Sequence, residues 1–342
     1  MPRSHLALLL SLLLPTLASA AAVGVKMTEL PDRVRVEING ELFTEYVFSP
    51  KVHPWTSTNK DGAIATNWPR HVYFYPVLGP GGLPMTRNWP MKEASGEERD
   101  HVHHRSLWVS HISVNGEDCW GEGAKSGSIV HDKFLEVKSG AESGVIRSSH
   151  QWLARDGRVL CTDEQTFRVY NRPKNERLFD YEITLSSGDK DVVFGDDKDG
   201  FMGIRLNETM RLQRAKEAGE KKAKTGDGHI VLSTGIRDLD TWGKRAEWCD
   251  YHGPVEGKIL GVAIFDHPKN PQHPTWWHVR EYGLFAANPF GVHYFEKKPE
   301  GAGDLTIPAG KSVTFKYRFY LHEGDEKQAK VAARYKDYAV GK

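Results

Sequence analysis

The sequence predicts an all-β protein: a large antiparallel β-sandwich with a short C-terminal helix. Three observations predict it. The first is period-two alternation near the end of the chain. Val313, Phe315, Tyr317, Phe319 and Leu321 fall on one face of an extended segment, and Thr314, Lys316, Arg318 and His322 on the other. That pattern marks a half-buried antiparallel strand. The second is turn chemistry between apolar runs. Val34, Val36 and Ile38 lead into Asn39-Gly40 and then Leu42 to Phe48, a hairpin with a two-residue turn. Val145 to Tyr170 reads as a second hairpin turning at Asp156-Gly157, and Tyr181, Ile183 and Leu185 mark a further strand. The third is the scarcity of helical periodicity. Asp325 to Tyr338 carries it, with Ala329, Val331, Ala332 and Tyr335 as the apolar stripe.

Residues 1–20 read as a signal peptide. Arg3 and His5 precede the apolar run Leu6 to Leu14, and Ala18-Ser19-Ala20 supplies the small residues of a cleavage site. The run falls short of the ~20 apolar residues of a membrane span, so export to the periplasm or medium is expected, without membrane insertion. Residues 21–342 are then expected to form a single sandwich domain. Within it, 212–228 is rich in Lys, Glu and Ala and polar throughout, as in a mobile surface insertion. With 46 basic and 45 acidic residues, the charge gives no electrostatic case for nucleic acid. An odd cysteine count (Cys119, Cys161 and Cys249) leaves at least one thiol free in an oxidising compartment, and spacing does not choose a pair.

Chemistry concentrates in Asp100-His101-Val102-His103-His104-Arg105. In an extended segment His101 and His103 point to one side and His104 to the other. Such a pair can present imidazoles to a divalent metal, with Asp100 as a further ligand. It can equally supply a general acid or base beside an arginine clamp. A second constellation spans Asp238 to Pro254 and includes Trp248, Glu247 and His252. Rings interleaved with carboxylates suit a sugar-binding cleft. A third comprises Asp266-His267-Pro268, His273, Trp276-Trp277-His278, Asn288-Pro289 and His293. Arg87 follows a Gly/Pro-rich turn, and Arg205 and Asn207 form another polar pair. The glycines match neither G-x-G-x-x-G nor a Walker loop, so no nucleotide cofactor is expected. Serine-hydrolase, zincin and EF-hand signatures have no counterpart.

Tyr73-Phe74-Tyr75-Pro76-Val77, the run Asp100 to Trp108, Asp266-His267-Pro268 and Asn288-Pro289 together resemble the family labelled "methane oxygenase PmoA". The resemblance covers roughly Tyr73 to Gly324, and Val102 stands where the family carries proline. The label implies copper or methane oxidation. A multi-spanning membrane subunit is ruled out by the polar strands and a mean hydropathy of -0.54. The family's strand-rich layout is also similar to the galactose-mutarotase-like supersandwich, which implies sugar chemistry on a concave face.

Three functions follow as expectations. The first is an exported carbohydrate-active enzyme (epimerase, lyase or hydrolase). It would use His103 or His104 as acid/base, Arg105 and Arg205 as clamps and Glu247 with His252 as the complementary pair. Trp108, Trp248 and Trp276 would stack on the sugar, and Arg87, Asn207, His278 and His293 would bind it. The second is a non-catalytic sugar-binding protein. The third is a metal-dependent oxidase, with a divalent metal on His101 and His103 completed by Asp100 or by one residue from His252, His267 or His293.

Overall fold

The computed structural model describes residues 23–58, 62–213 and 226–341. The expected signal peptide and most of the 212–228 insertion lie outside the described residues. Two eight-stranded antiparallel sheets face one another. Sheet I runs, edge to edge, Val25–Glu29, Arg33–Ile38, Glu41–Val47, Tyr73–Val77, Leu107–His111, Gly200–Arg205, Leu284–Asn288 and Trp276–Val279. Sheet II runs His229–Leu232, Trp248–Val255, Lys258–Asp266, Ser312–Glu323, Glu176–Ser186, Val159–Tyr170, Ser143–Leu153 and Ser128–Lys138. No helix among the described residues is long and apolar enough to cross a membrane.

The local signals that predict the strands also place them. Asn39 and Gly40 both adopt positive φ (53° and 79°), as the first hairpin's turn requires. Gly157 (φ 86°) turns the second. In Ser312–Glu323, Phe315, Tyr317, Phe319 and Leu321 enter the core that both sheets share. Phe319 stacks on Phe179 of the neighbouring strand, with centroids 4.7 Å apart.

Each sheet also buries part of its outer face. On sheet II, Trp248, Phe265 and Tyr320 lie beneath Val331, Tyr335 and Tyr338 of the C-terminal helix. That helix spans Val331–Ala339, shorter than the 325–338 expected. A first turn does form, with Ala329 N donating to Asp325 O, but Lys330 at φ 56° breaks the path before the helix proper. On sheet I, Tyr73, Tyr75, Trp108 and Leu284 form a separate apolar cluster with Met91 and Trp120 from the covering loops. The polar site is built on this second surface.

Phe319→Ala, at a fully buried position, should cost about 3–5 kcal/mol. Urea unfolding followed by tryptophan fluorescence measures it; a loss below 1 kcal/mol would contradict the shared core.

Candidate functional site

The run Asp100 to Ser106 is a turn, which corrects the extended segment expected from sequence. His104 N donates to His101 O at 2.9 Å, and His101 and Ser106 take positive φ (40° and 60°). Closing the turn puts His101 and His104 on the same side, with rings parallel to 3° and centroids 4.7 Å apart. His103 stands edge-on to His104 instead.

Asp100 holds this turn to the sheet. Its carboxylate accepts from Arg87, from Arg205 Nη2 (3.0 and 3.1 Å) and from His101 Nδ1 (2.6 Å). Arg87 Nη2 also donates to the carbonyls of Asp100 (2.7 Å) and His101 (2.9 Å). Both arginines are fully buried. Burial opposes ionisation of Asp100, but the His101 hydrogen bond and the two guanidinium charges outweigh it, and the carboxyl is held well below the usual range. Arg205 Nη1 lies 3.1 Å from His104 Nδ1 and can only donate. Burial keeps His104 neutral, so its proton is assigned to Nε2.

A column of stacked rings runs through the site. Tyr282 stacks on His101 (5.3 Å), His101 on His104, His104 on Trp108 (5.2 Å), and Trp108 on His71 (6.3 Å). The guanidiniums of Arg205 and Arg280 lie over Tyr282, 4.8 and 5.2 Å from its centroid. Trp108 fits because Gly203 faces it across the strand pair; a Cβ there would come within 3.0 Å of the indole. Trp108 is therefore a packed wall of the site rather than an open stacking surface.

The pocket opens above this column, with a volume of about 380 Å³. Its walls include His103, Trp120, Tyr282, Asp199, His278 and Arg280. Burial, aided by the charge of His101, pulls His103 down to about 4, while the carboxylates of Asp199 and Asp118 pull the other way. Burial takes His278 to about 3. Trp242 Nε1 donates to His278 Nδ1 (3.3 Å), which assigns the His278 proton to Nε2, 3.8 Å from an Asp199 oxygen. Asn288 fixes the Asp199 loop by donating to the carbonyls of Asp197 (2.9 Å) and Lys198 (2.7 Å).

The other sequence-derived candidates disperse. Arg105 is sealed in a bidentate pair with Glu122, both side chains at 0% exposure, and does not reach the pocket. Trp248 and His252 lie on the outer face of sheet II, and Glu247 is exposed beside them, so they cannot complement His103 across one ligand. Asn207 is spent on structure: it caps the 3-10 turn Glu208–Met210 and donates to Pro84 O. Trp276 is buried between Arg245 and Glu296. His293 lines a separate hollow with Asp196 and Asp304. The metal set Asp100, His101 and His103 is not assembled, because Asp100 is occupied by arginines. Among the described residues, three donors converge at Asp250, His252 and Glu326 instead. The three cysteines are buried and unpaired. Sequence reasoning overlooked Trp120, Tyr282, Asp199 and Arg280. The polar run Asp196 to Asp199 before a strand was the available signal for Asp199.

The model of a family described only as of unknown function, DUF6807, matches residues 33–336. No curated protein matches the chain. Among solved structures, the chain is similar to one described as a candidate kojibiose phosphorylase from the human microbiome. The identity is 11% and the TM-score 0.31, covering 94% of this chain and 37% of that one, so this chain spans little more than a third of it. It is also similar to a GalM/aldose epimerase homologue from C. elegans, at 8% identity and TM-score 0.31, covering 89% and 100% of the two chains.

Glu122→Gln strands the Arg105 charge in the interior and should cost about 3–5 kcal/mol; Glu122→Leu with Arg105→Met should recover most of that in chemical denaturation. A double variant as unstable as the single one would contradict the pairing. Acid should also destabilise the fold through its histidines. Burial is the first cause of depression to about 4 at His53, His103, His111 and His131, and to about 3 at His278. The unfolded chain takes up these protons from about pH 6.5 downward, so stability is full above that pH and falls as pH drops toward 4. Urea midpoints across that window test this; a flat profile would contradict it.

Proposed function

The chain belongs to the family of unknown function DUF6807, and on that premise we propose that it is an exported carbohydrate-active enzyme whose acid/base is His103. The observation that carries this reading is a neutral imidazole on the wall of an aromatic, polar pocket. Trp120 and Tyr282 stand in its wall as packed rings, while Asp199, Arg280 and the Nε2–H of His278 meet the hydroxyls of a sugar. Near neutral pH His103 is free to accept a proton from the substrate. Asp199 then stabilises the imidazolium, and the proton can be returned to the substrate or leaving group. This sequence serves epimerisation, elimination or hydrolysis alike. Arg87 and Arg205 are positioning residues here: they hold the turn that carries His103 and do not line the pocket, whereas His104 lies in its wall. The N-terminal signal-like run supports export.

The oxidase implied by the methane oxygenase resemblance draws less support, because the carboxylate it would use is committed to Arg87 and Arg205.

A panel of neutral sugars and uronic acids, followed by proton NMR for anomer exchange, elimination and hydrolysis, tests the reading. With a substrate found, His103→Gln should lower kcat by roughly 10²–10⁴-fold with little change in KM. The acid limb of wild-type kcat/KM should fall near pH 4. Binding without turnover, unchanged in His103→Gln, would make the protein a sugar-binding module. Turnover unchanged in His103→Gln would overturn the assignment.

A further inference from the structure

On the outer face of sheet II, far from the pocket's sheet, a second group of buried polar side chains converges. Trp248, Asp250 and His252 alternate outward from one strand, while Cys249 and Tyr251 enter the shared core. Asp250 is fully buried, and His252, His322 and Glu326 are at most 8% exposed. Asp250 Oδ1 lies 2.6 Å from His252 Nδ1, and Asp250 Oδ2 lies 2.7 Å from His322 Nε2. Glu326 Oε2 approaches the same His252 Nδ1, at 4.0 Å. Donor atoms of Asp250, His252 and Glu326 all fall within 4.8 Å of one another.

The backbone makes room for this arrangement. Gly261 sits between His252 and His322 in the sheet register. A Cβ on it would come within 2.2 Å of the His322 ring, so only glycine lets that imidazole lie across the strand to Asp250. Glu326 arrives from the segment leading into the C-terminal helix and is oriented by Arg237 Nη1 at 2.8 Å. Two carboxylates and an imidazole nitrogen thus converge in a buried spot, with Arg237 as the outer partner of Glu326 and His322 as that of Asp250.

We propose that Asp250, His252 and Glu326 form a zinc site, with His322 orienting Asp250, that ties the C-terminal segment to sheet II. Imidazole and carboxylate are ordinary zinc ligands, and a tetrahedral ion with bonds of about 2.0–2.2 Å needs donor separations near 3.5 Å, a small adjustment here. Ligating carboxylates are themselves held by hydrogen bonds, the part His322 plays for Asp250. The ion takes the place of the proton between His252 Nδ1 and Asp250. One proton is released for each zinc bound when His252 starts as imidazolium, and acid therefore opposes binding.

The test uses the full chain, freed of metal with chelator, then titrated with zinc sulfate and desalted. Elemental mass spectrometry should find about one zinc per chain, and the melting temperature should rise with zinc. His252→Gln and Glu326→Gln, each checked as folded by circular dichroism, should lose the retained zinc and the thermal shift. His101→Ala with His103→Ala should keep both. Folded wild type that retains no zinc would overturn the proposal, as would zinc lost only on changing His101 and His103.

Discussion

The Asp100 carboxylate gathers two buried guanidiniums and an imidazole at one point over sheet I. It gives both buried guanidiniums a carboxylate partner, and with the Arg205 N to Ser106 O hydrogen bond it anchors the loop on the strand carrying Arg205. Because Asp100 fixes the turn, His101 and His104 are forced into parallel stacking, and His103 is left facing open space. One ion cluster therefore determines how the three histidines of this turn face the pocket. Burial then sets the protonation state: His104 is buried in the pocket wall and neutral, and His103 is neutral yet more open, with Asp199 across the pocket.

The ring column extends that control. Trp108 lies flat because Gly203 has no side chain, and His104 and His101 follow its plane up to Tyr282. A packed aromatic layer thus becomes the floor of a polar pocket. The sandwich below supplies rigidity, since the outer face of sheet I is backed by the core shared with sheet II.

The strands were legible in the sequence because their signals are local. Alternation at Val313 to Leu321 and the Asn39-Gly40 turn needed no knowledge of distant residues. The Asp100–Arg105 run was legible as a polar concentration, but not in its geometry: positive φ at His101 and Ser106 has no marker in residue type. Convergence was the illegible part. Glu247 and His252 resemble partners for His103 in composition, yet strand order places them on the opposite sheet. Asp199 and Tyr282, which share the pocket with His103, are separated from it by about a hundred residues or more and are brought there by the pairing of Gly200–Arg205 with its neighbours. Arg105 shows the same limit, since its role depends on Glu122 being carried back beneath it.

The central claim is that ligands enter the pocket over sheet I. Imidazole NMR on histidine-labelled protein, titrated with the sugar and uronic acid panel, tests it directly. The account predicts ligand-dependent shifts at His101, His103 and His278, with His252 and His322 unmoved. Shifts confined to His252 and His322, or binding that leaves His103 untouched, would contradict it.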